Sequence, residues 1–404
     1  MHLDVWPLAF VLAGLVLYVV LGGADFGAGF WQLFAGRGAK ADAIRDHAHD
    51  SMAPVWEANH VWLVFVLTVT WTAYPEALAS IASTLAVPLF IAAIGIIFRG
   101  ATYAMRGGAT ARREQLLVDS VFGVSSILTP FALGAAVGGI ASLRVPTGNA
   151  SGDLLTSWFN ATGITIGILA VGVSAYLAAI YLTADAQRHG QAELVELFRR
   201  RALGAGVVTG AAAAASIVVL RFDAHRLFDR LLLGSPVAAV AVSAVAGLAT
   251  LALVAGRRYE LARYAAPVAV AAIVVGWGLA QRPLMLRDLT VSQAAASRST
   301  LIAVIVAVVG GGVLLFPSLA LLFRLVLGGR LAHGAVAEEA PERVERPSRT
   351  TLAFRAAVAF AIAGVGLLTV AEAPWAHGLG VAALFGFVVA GVVAVDPAGL
   401  ARRS

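Results

Sequence analysis

The sequence predicts an all-α polytopic membrane protein, and its composition is the first observation behind this prediction. Of the 404 residues, 60% are hydrophobic and 13% are charged. Soluble globular proteins carry about 25% charged and about 45–50% apolar residues. The composition therefore excludes a soluble enzyme. It also excludes a disordered chain, which needs low hydrophobicity and high net charge.

The second observation is a series of long apolar segments, because a membrane-spanning helix needs about 20 apolar residues. Nine predicted spans precede a polar segment and two follow it, which makes eleven. The first nine cover 5–36, 52–74, 77–98, 120–141, 158–182, 202–220, 231–255, 264–281 and 299–323. The last two cover 356–371 and 373–395.

The polar segment between these groups, 328–350, is rich in glutamate and arginine and contains Pro341 and Pro347. Such a segment cannot bury a core. We therefore predict three parts: a nine-span bundle at 1–327, a polar linker at 328–350, and an extra transmembrane helix pair with a tail at 351–404.

The third observation is the distribution of arginine and lysine, which are concentrated in alternate connections. The richest connections surround 37–45, 99–113, 188–201 and 257–263. Cytoplasmic loops carry an excess of these cations, so we predict an outside N-terminus and a cytoplasmic C-terminus. The chain has no cysteine, which excludes disulfides, thiolate metal sites and iron–sulfur clusters.

Ionisable residues at membrane depth are costly, so each one is a candidate functional residue. Asp25 lies in the first predicted span, between Gly23 and Gly27, which share a helix face and allow a neighbouring helix to approach. Arg99 ends the third predicted span at the same side of the membrane. We predict a structural ion pair between Asp25 and Arg99. A role of Asp25 in proton transfer is a second interpretation, which the ion pair does not exclude.

A second cluster opens the second predicted span and contains Trp56, Glu57, Asn59, His60 and Trp62. Glu57 and His60 are three residues apart and share a helix face. Loss of solvation favours the protonated form of a carboxyl group there, which suits a proton relay. A carboxylate that caps a helix N-terminus, which the helix dipole favours, fits Glu57 equally well.

His60 is the only histidine well inside a predicted span. Ligation of a haem by two histidines needs a second buried histidine on a facing helix, so the sequence predicts no haem held by this chain and no metal site. A single axial ligand at His60 is a second interpretation. A histidine that hydrogen-bonds to a neighbouring group is the simpler one.

Four segments together resemble subunit II of the cytochrome bd-type quinol oxidases. They are 23–27 (GADFG), 54–63 (PVWEANHVWL), 71–75 (WTAYP) and 98–100 (FRG). The resemblance covers about residues 5–330. It implies a core of nine helices, arranged as two four-helix bundles plus one peripheral helix. The two extra C-terminal helices are additional to this core.

The resemblance further implies that the chain is a subunit of a terminal oxidase. Such an oxidase oxidises quinol and reduces O2 to water in aerobic respiration, without pumping protons. Haem b558, haem b595 and haem d would lie in the partner subunit I, in a bacterial cell membrane. This chain would support that partner and supply part of the cytoplasmic proton path. Glu57 matches the acid of the Trp-acid motif, although many members carry aspartate there. Some members hold a structural quinone in this subunit, and a small accessory subunit is a further partner.

Two other classes stay open on the residues alone. An ion-coupled secondary transporter also uses glycine-interrupted helices with a buried carboxylate. In a purely structural membrane scaffold, Asp25 and Glu57 would serve assembly alone. A transporter should show matching broken helices in both halves, and only the first predicted span here has that character.

Overall fold

The computed structural model of the protein describes residues 3–52, 56–106, 112–327, 355–360, 362–364 and 374–395. The first helix runs through Leu3–Leu33 as one candidate span. It comprises α1 (Trp6–Leu17), a π-helical turn at Tyr18–Gly22, and α2 (Gly23–Leu33). A polar helix, α3 (Ala39–Met52), follows.

The remaining elements are helical apart from one small hairpin. They are α4 (Trp56–Ala73), α5 (Pro75–Thr84), α6 (Ala86–Arg106), α7 (Arg112–Ala141), α8 (Ala161–Arg188), α9 (Ala192–Asp223), α10 (His225–Leu232), α11 (Val237–Ala255), α12 (Tyr259–Gln281), β1 (Leu284–Leu286), β2 (Leu289–Thr290), α13 (Val291–Ala294), α14 (Arg298–Leu327) and α15 (Pro374–Val395). The strands β1 and β2 pair antiparallel.

Eight helices within the described residues are long and apolar enough to cross a membrane. The all-α polytopic class is therefore confirmed. The other three predicted spans correspond to shorter apolar helices at Asn59–Ala73, Arg355–Gly364 and Leu379–Ala390. Part of the predicted span 356–371 lies outside the described residues, as does the whole predicted linker 328–350.

The prediction of one continuous span at 77–98 is wrong. The chain forms α5 and then α6, with Leu85 between them at φ −99° and ψ 25°. Pro88 explains the break, because proline has no N–H to donate to the carbonyl of Thr84 and its ring clashes with that carbonyl. The span begins again at Ala86 and extends to Arg106.

The connections are also more structured than the apolar pattern indicates. The helices α3, α5, α10 and α13, together with the β1–β2 hairpin, lie between the spans. Hydropathy detects long apolar runs, and these elements are too short or too polar to produce one.

Alternation of the spans gives the bundle two ends. One, the α3 end, holds α3 and the turns at 189–191 and 256–258. The other, the α10 end, holds α10, the loop 142–160 and the hairpin. At the α10 end, Arg287 N–H donates to the Val145 carbonyl and the Tyr74 hydroxyl donates to the Asp4 carbonyl. Helix α8 lies centrally and packs against α2, α7, α9 and α12.

The chain divides into two compact units, Met1–Ser318 and Leu319–Ser404. The functional candidates all lie in the first unit. In the second unit, Gly364 lies against the Leu384 side chain and Gly386 lies against the Phe360 ring. The predicted division into bundle, linker and helix pair stays a prediction.

Candidate functional site: a buried ion pair between three helices

The Asp25 and Arg99 side chains form an ion pair in the interior of the first unit. Arg99 Nη2 lies 2.5 Å from Asp25 Oδ1 and 2.8 Å from the carbonyl oxygen of Asp25. Each residue is only 1% exposed. Burying two charges is expensive, and loss of one partner leaves the other uncompensated. The two residues therefore depend on each other.

Helix α7 completes the surroundings of the Arg99 guanidinium. Arg99 Nη1 donates to the Ser126 hydroxyl, which itself donates to the Phe122 carbonyl. The guanidinium lies 4.2 Å from the centre of the Phe122 ring and 5.1 Å from that of Phe26. Arginine stacks well on aromatic faces, so these rings hold its plane.

The ion pair keeps some hydrogen-bonding capacity. Among the described residues, neither Asp25 Oδ2 nor Arg99 Nε has a hydrogen-bond partner, although both atoms are buried. Buried polar atoms are normally satisfied, and exceptions require an explanation. An unfilled carboxylate oxygen is an atom to which a proton can be delivered.

The π-helical turn and the glycines of α2 bring Asp25 to this position. A π-turn adds one residue to a helical turn, and such turns are frequent at functional sites. A Cβ atom on Gly27 would lie 1.9 Å from the Ser174 carbonyl oxygen of α8, so only glycine fits there. A Cβ atom on Gly23 would meet Ser174 and Leu177 at an ordinary 3.6 Å. Of the two predicted packing glycines, Gly27 is the one that the close approach requires.

Helix α4 contacts the same region through Asn59 and His60. Asn59 Nδ2 donates to the Leu21 carbonyl oxygen within the π-turn, at 3.2 Å. The His60 ring lies edge-on to Phe26 at 6.1 Å and to Tyr18 at 6.3 Å between ring centres. The structure thus brings His60 to the residue that follows Asp25. The aromatic rings of Phe26 and Tyr18 pack against His60.

The structure describes the other residues of the predicted cluster, Trp56, Glu57 and Trp62, only in part. Trp62 packs its ring against Phe65, with 6.4 Å between ring centres. Trp56 and Glu57 form the start of α4, and their side chains lie outside the described part of the structure. The role of Glu57 therefore stays a prediction.

A polar group surrounds Arg45 at the α3 end. Arg45 donates to the Gly36 carbonyl at 2.6 Å and to Asp42 Oδ1 at 3.0 Å. Its Nε lies 3.6 Å from Asp119 Oδ2 of α7. These contacts join α3 to the beginning of α7.

A small cavity lies between this polar group and the ion pair. It has a volume of about 10 Å³, and Gln32, His49, Thr102 and Asp119 supply its polar lining. Phe122, the ring over Arg99, is also part of its wall. A cavity of this size holds about one water molecule. Polar side chains therefore line part of the region between the α3 end and Arg99.

Comparison with known proteins decides the family. The family model described as cytochrome bd terminal oxidase subunit II matches residues 3–326. The chain belongs to the cytochrome bd terminal oxidase subunit II family. The Asp25–Arg99 pair, the π-turn and α4 all lie inside the matched region. In the described residues of this subunit II chain, no group of three or more metal-ligating side chains comes together.

Relatives of this subunit II chain are similar over part of their length. The cytochrome bd ubiquinol oxidase subunit 2 of Bacillus subtilis strain 168 is 28% identical over 133 residues, covering 32% of this chain and 38% of the relative. The cytochrome bd-I ubiquinol oxidase subunit 2 of Escherichia coli strain K12 is 27% identical over 187 residues, covering 44% of this chain and 47% of the relative. The matched part thus spans less than half of the length of these relatives.

The similarity to a solved structure covers a larger part of the chain. A chain in the structure of bd oxidase from Geobacillus thermodenitrificans superposes with a TM-score of 0.66 and 25% sequence identity. The match covers 81% of this chain and 99% of that chain. The shared fold thus includes nearly all of the other protein's chain.

Several residues around the ion pair of this subunit could not be assigned to it from the sequence. Ser126 and Phe122 are ordinary residues of an apolar helix, and only their spacing of four indicates a shared face. Phe26 and Tyr18 carry no polar signal that distinguishes them from core aromatics. Arg45 and Asp119 are far apart in sequence, so spacing alone does not pair them.

Proposed function

We propose that this chain works as subunit II of a complex that oxidises quinol and reduces O2 to water, and that it conducts protons toward the O2-reducing site. Membership of the family supports the oxidase assignment. The haems would lie in the partner subunit I, which this chain would contact and stabilise. Reduction of O2 to water consumes one proton for each electron, so a dry redox site needs a proton path from one side.

The buried ion pair with an unfilled carboxylate oxygen is the observation that carries the proton role. Ionisable residues at membrane depth are rare and mark ion paths. Arg99 Nη2 holds Asp25 Oδ1, while Asp25 Oδ2 keeps an acceptor position toward the described residues. A carboxylate held in this way can take up a proton and pass it on.

The path that we propose leads from Glu57 through the surroundings of His60 to Asp25. Glu57 lies three residues before His60 on α4, and His60 packs against Phe26, next to Asp25. The arginine-rich α3 end would face the cytoplasm, and the polar cavity near Asp119 lies on that side of the pair. The oxidase would be electrogenic because its protons come from the cytoplasm, and it would not pump.

Substitution of Glu57 tests the relay in the purified complex. Glu57→Gln removes the titrating group and is expected to lower O2 consumption at least about tenfold, since general acid–base groups contribute about 10²–10⁴ in rate. Glu57→Asp should keep much of the activity. Glu76→Gln, a change of an exposed glutamate at the α10 end, is the matched control and should have no effect.

Haem absorption spectra of the same preparations separate a relay from a scaffold. The spectra should be nearly unchanged in Glu57→Gln, which would show that the complex is assembled while its turnover is slow. Parental turnover in an assembled Glu57→Gln complex would contradict the relay and favour a structural role. A chain that purifies without pigment and without a partner would contradict the oxidase assignment itself.

A further inference from the structure

The α10 end of the bundle carries a group of arginines. Its arginines include Arg144, Arg221, Arg226, Arg230, Arg282 and Arg287. Under the orientation that the arginine distribution predicts, this end would be external, where loops normally carry few such residues. Carboxylates at this end include Asp4, Glu76, Asp153, Asp223, Asp229 and Asp288, so an anion would be attracted by an individual unpaired guanidinium and not by a net excess of charge.

An open cavity of about 160 Å³ lies at this end, between the end of α7, the α9–α10 corner and the end of α12. Its polar lining comes from Ser142, Asp223, His225, Arg226 and Gln281. The volume exceeds that of several water molecules, each of which takes about 30 Å³ in the liquid. The cavity is therefore large enough for a small polar group.

The acidic residue in this cavity is already fully engaged. Asp223 Oδ1 lies 2.6 Å from Arg144 Nη2, and Asp223 Oδ2 accepts from the backbone N–H and the hydroxyl of Thr162. The carboxylate is thus neutralised from the side of α8 and the 142–160 loop. Asp223 shapes the wall of the cavity but leaves the charge of Arg226 uncompensated.

Arg226 lines the cavity, and other residues of α10 are held by contacts of their own. Arg230 donates to the Arg282 carbonyl, and His225 lies 3.4 Å from Asp229. No carboxylate of the described residues pairs with Arg226. Burial, followed by the nearby charge of Arg230, lowers the pKa of Arg226. Both effects disfavour the cation, and a bound anion would relieve both.

We propose that this cavity binds the phosphate group of an anionic phospholipid, with Arg226 as its main ligand. The planar guanidinium matches phosphate oxygens through paired hydrogen bonds. Helix α10 packs Leu227 and Leu231 into the core of the bundle, which leaves Arg226 in the wall of the cavity. The site is independent of the proton path proposed above.

Apolar residues beside the cavity favour a lipid over free phosphate as the source of this group. Phe222 precedes Asp223 and is 82% exposed, and Leu233 follows α10 and is 79% exposed. Acyl chains would cover such side chains, whereas inorganic phosphate would gain nothing from them. The headgroup would bind in the cavity while the acyl chains lie against the outer surface of the bundle.

Native mass spectrometry of the chain, purified with the subunits that accompany it, tests this site. Phosphatidylglycerol and phosphatidylcholine are added separately, and the fraction of protein that retains one lipid is measured. The parental protein should retain phosphatidylglycerol in preference to phosphatidylcholine. Arg226→Gln should weaken phosphatidylglycerol binding at least about tenfold, because it removes a charge-assisted contact to phosphate.

Arg287→Gln is the matched control, because it removes one exposed arginine at the same end without changing the cavity. It should bind phosphatidylglycerol as the parent does. Equal retention of both lipids by the parent, or parental binding by Arg226→Gln, would overturn the proposal. If Arg226→Gln does not assemble, Arg226→Lys decides: it should lose part of the binding, and unchanged binding would count against the site.

Competition with inorganic phosphate tests whether the cavity binds the phosphate group of a lipid or free phosphate. In excess, it should leave bound phosphatidylglycerol in place, because it lacks the acyl chains that hold the lipid. Displacement of the lipid by phosphate at equal concentration would identify a free-phosphate site and contradict a lipid site.

Discussion

Contacts from three helices hold the Asp25–Arg99 pair, and this arrangement determines how each partner responds to substitution. Asp25 belongs to α2, Arg99 to α6, and Ser126 to α7. The charges lie where solvent does not reach them. Breaking such a pair from one side therefore costs more than removing both charges together.

A double-mutant cycle measures this dependence. Asp25→Asn alone and Arg99→Gln alone should each destabilise the protein by about 3–5 kcal/mol, because each leaves one buried charge without its partner. The double substitution should cost less than the sum of the two. Thermal unfolding of the purified complex provides the measurement. Additive effects would show that the two side chains do not interact energetically.

At the scale of single residues, the charged partners can be predicted from the sequence, but their surroundings cannot. Asp25 and Arg99 stand out because charge inside an apolar segment is rare and must be compensated. Ser126 and Phe122 contact Arg99 just as closely, yet serine and phenylalanine are common in membrane helices. Their role depends on which face of α7 meets α6, and local sequence does not define that face.

At the scale of the elements, close packing of α2 against α8 sets the position of Asp25. The Gly27 backbone approaches the Ser174 carbonyl so closely that no side chain fits between them. Small residues at such crossings are common in membrane proteins, because van der Waals packing drives helix association there. The Gly23 position, four residues earlier, has ordinary space around it.

Alanine substitutions at these two glycines should have opposite outcomes. Gly27→Ala forces α2 away from α8 and should lower the yield of assembled complex, with a loss of about 1–3 kcal/mol typical of overpacking. Gly23→Ala should be tolerated and is the matched control. Yield and thermal midpoint of the purified complex give the comparison. Equal tolerance of both substitutions would contradict the close approach.

The long helices can be predicted from apolar runs in the sequence, whereas the breaks in them depend on features that hydropathy does not detect. Eight helices could be recognised because hydropathy integrates over many residues. The break at Leu85 depends on one proline, and the π-turn at Tyr18–Gly22 leaves no local mark in an apolar sequence. The short helix α10 was missed because its charged residues obscure the burial of Leu227 and Leu231.

At the scale of the whole molecule, orientation links the structure to the proposed direction of proton flow. Arginine and lysine favour a cytoplasmic α3 end. The absence of cysteine makes this testable, because any introduced thiol is the only one in the chain. Ser151 at the α10 end and Gln191 at the α3 end are both exposed positions.

Labelling of intact cells with a membrane-impermeant maleimide should distinguish the two ends. Ser151→Cys should react in intact cells, and Gln191→Cys should react only after the membrane is opened. The cysteine-free parent chain controls for labelling of other groups. The reverse pattern would place the α3 end outside and would invert the proposed proton path.

Proton uptake during a single turnover tests the central claim most directly. The fully reduced complex is mixed with O2, and a pH indicator follows protons while haem absorption follows electrons. With Glu57→Gln, proton uptake and the final oxidation of the haems should slow together. Proton uptake at the parental rate in that variant would contradict the view that this subunit conducts protons to the O2-reducing site.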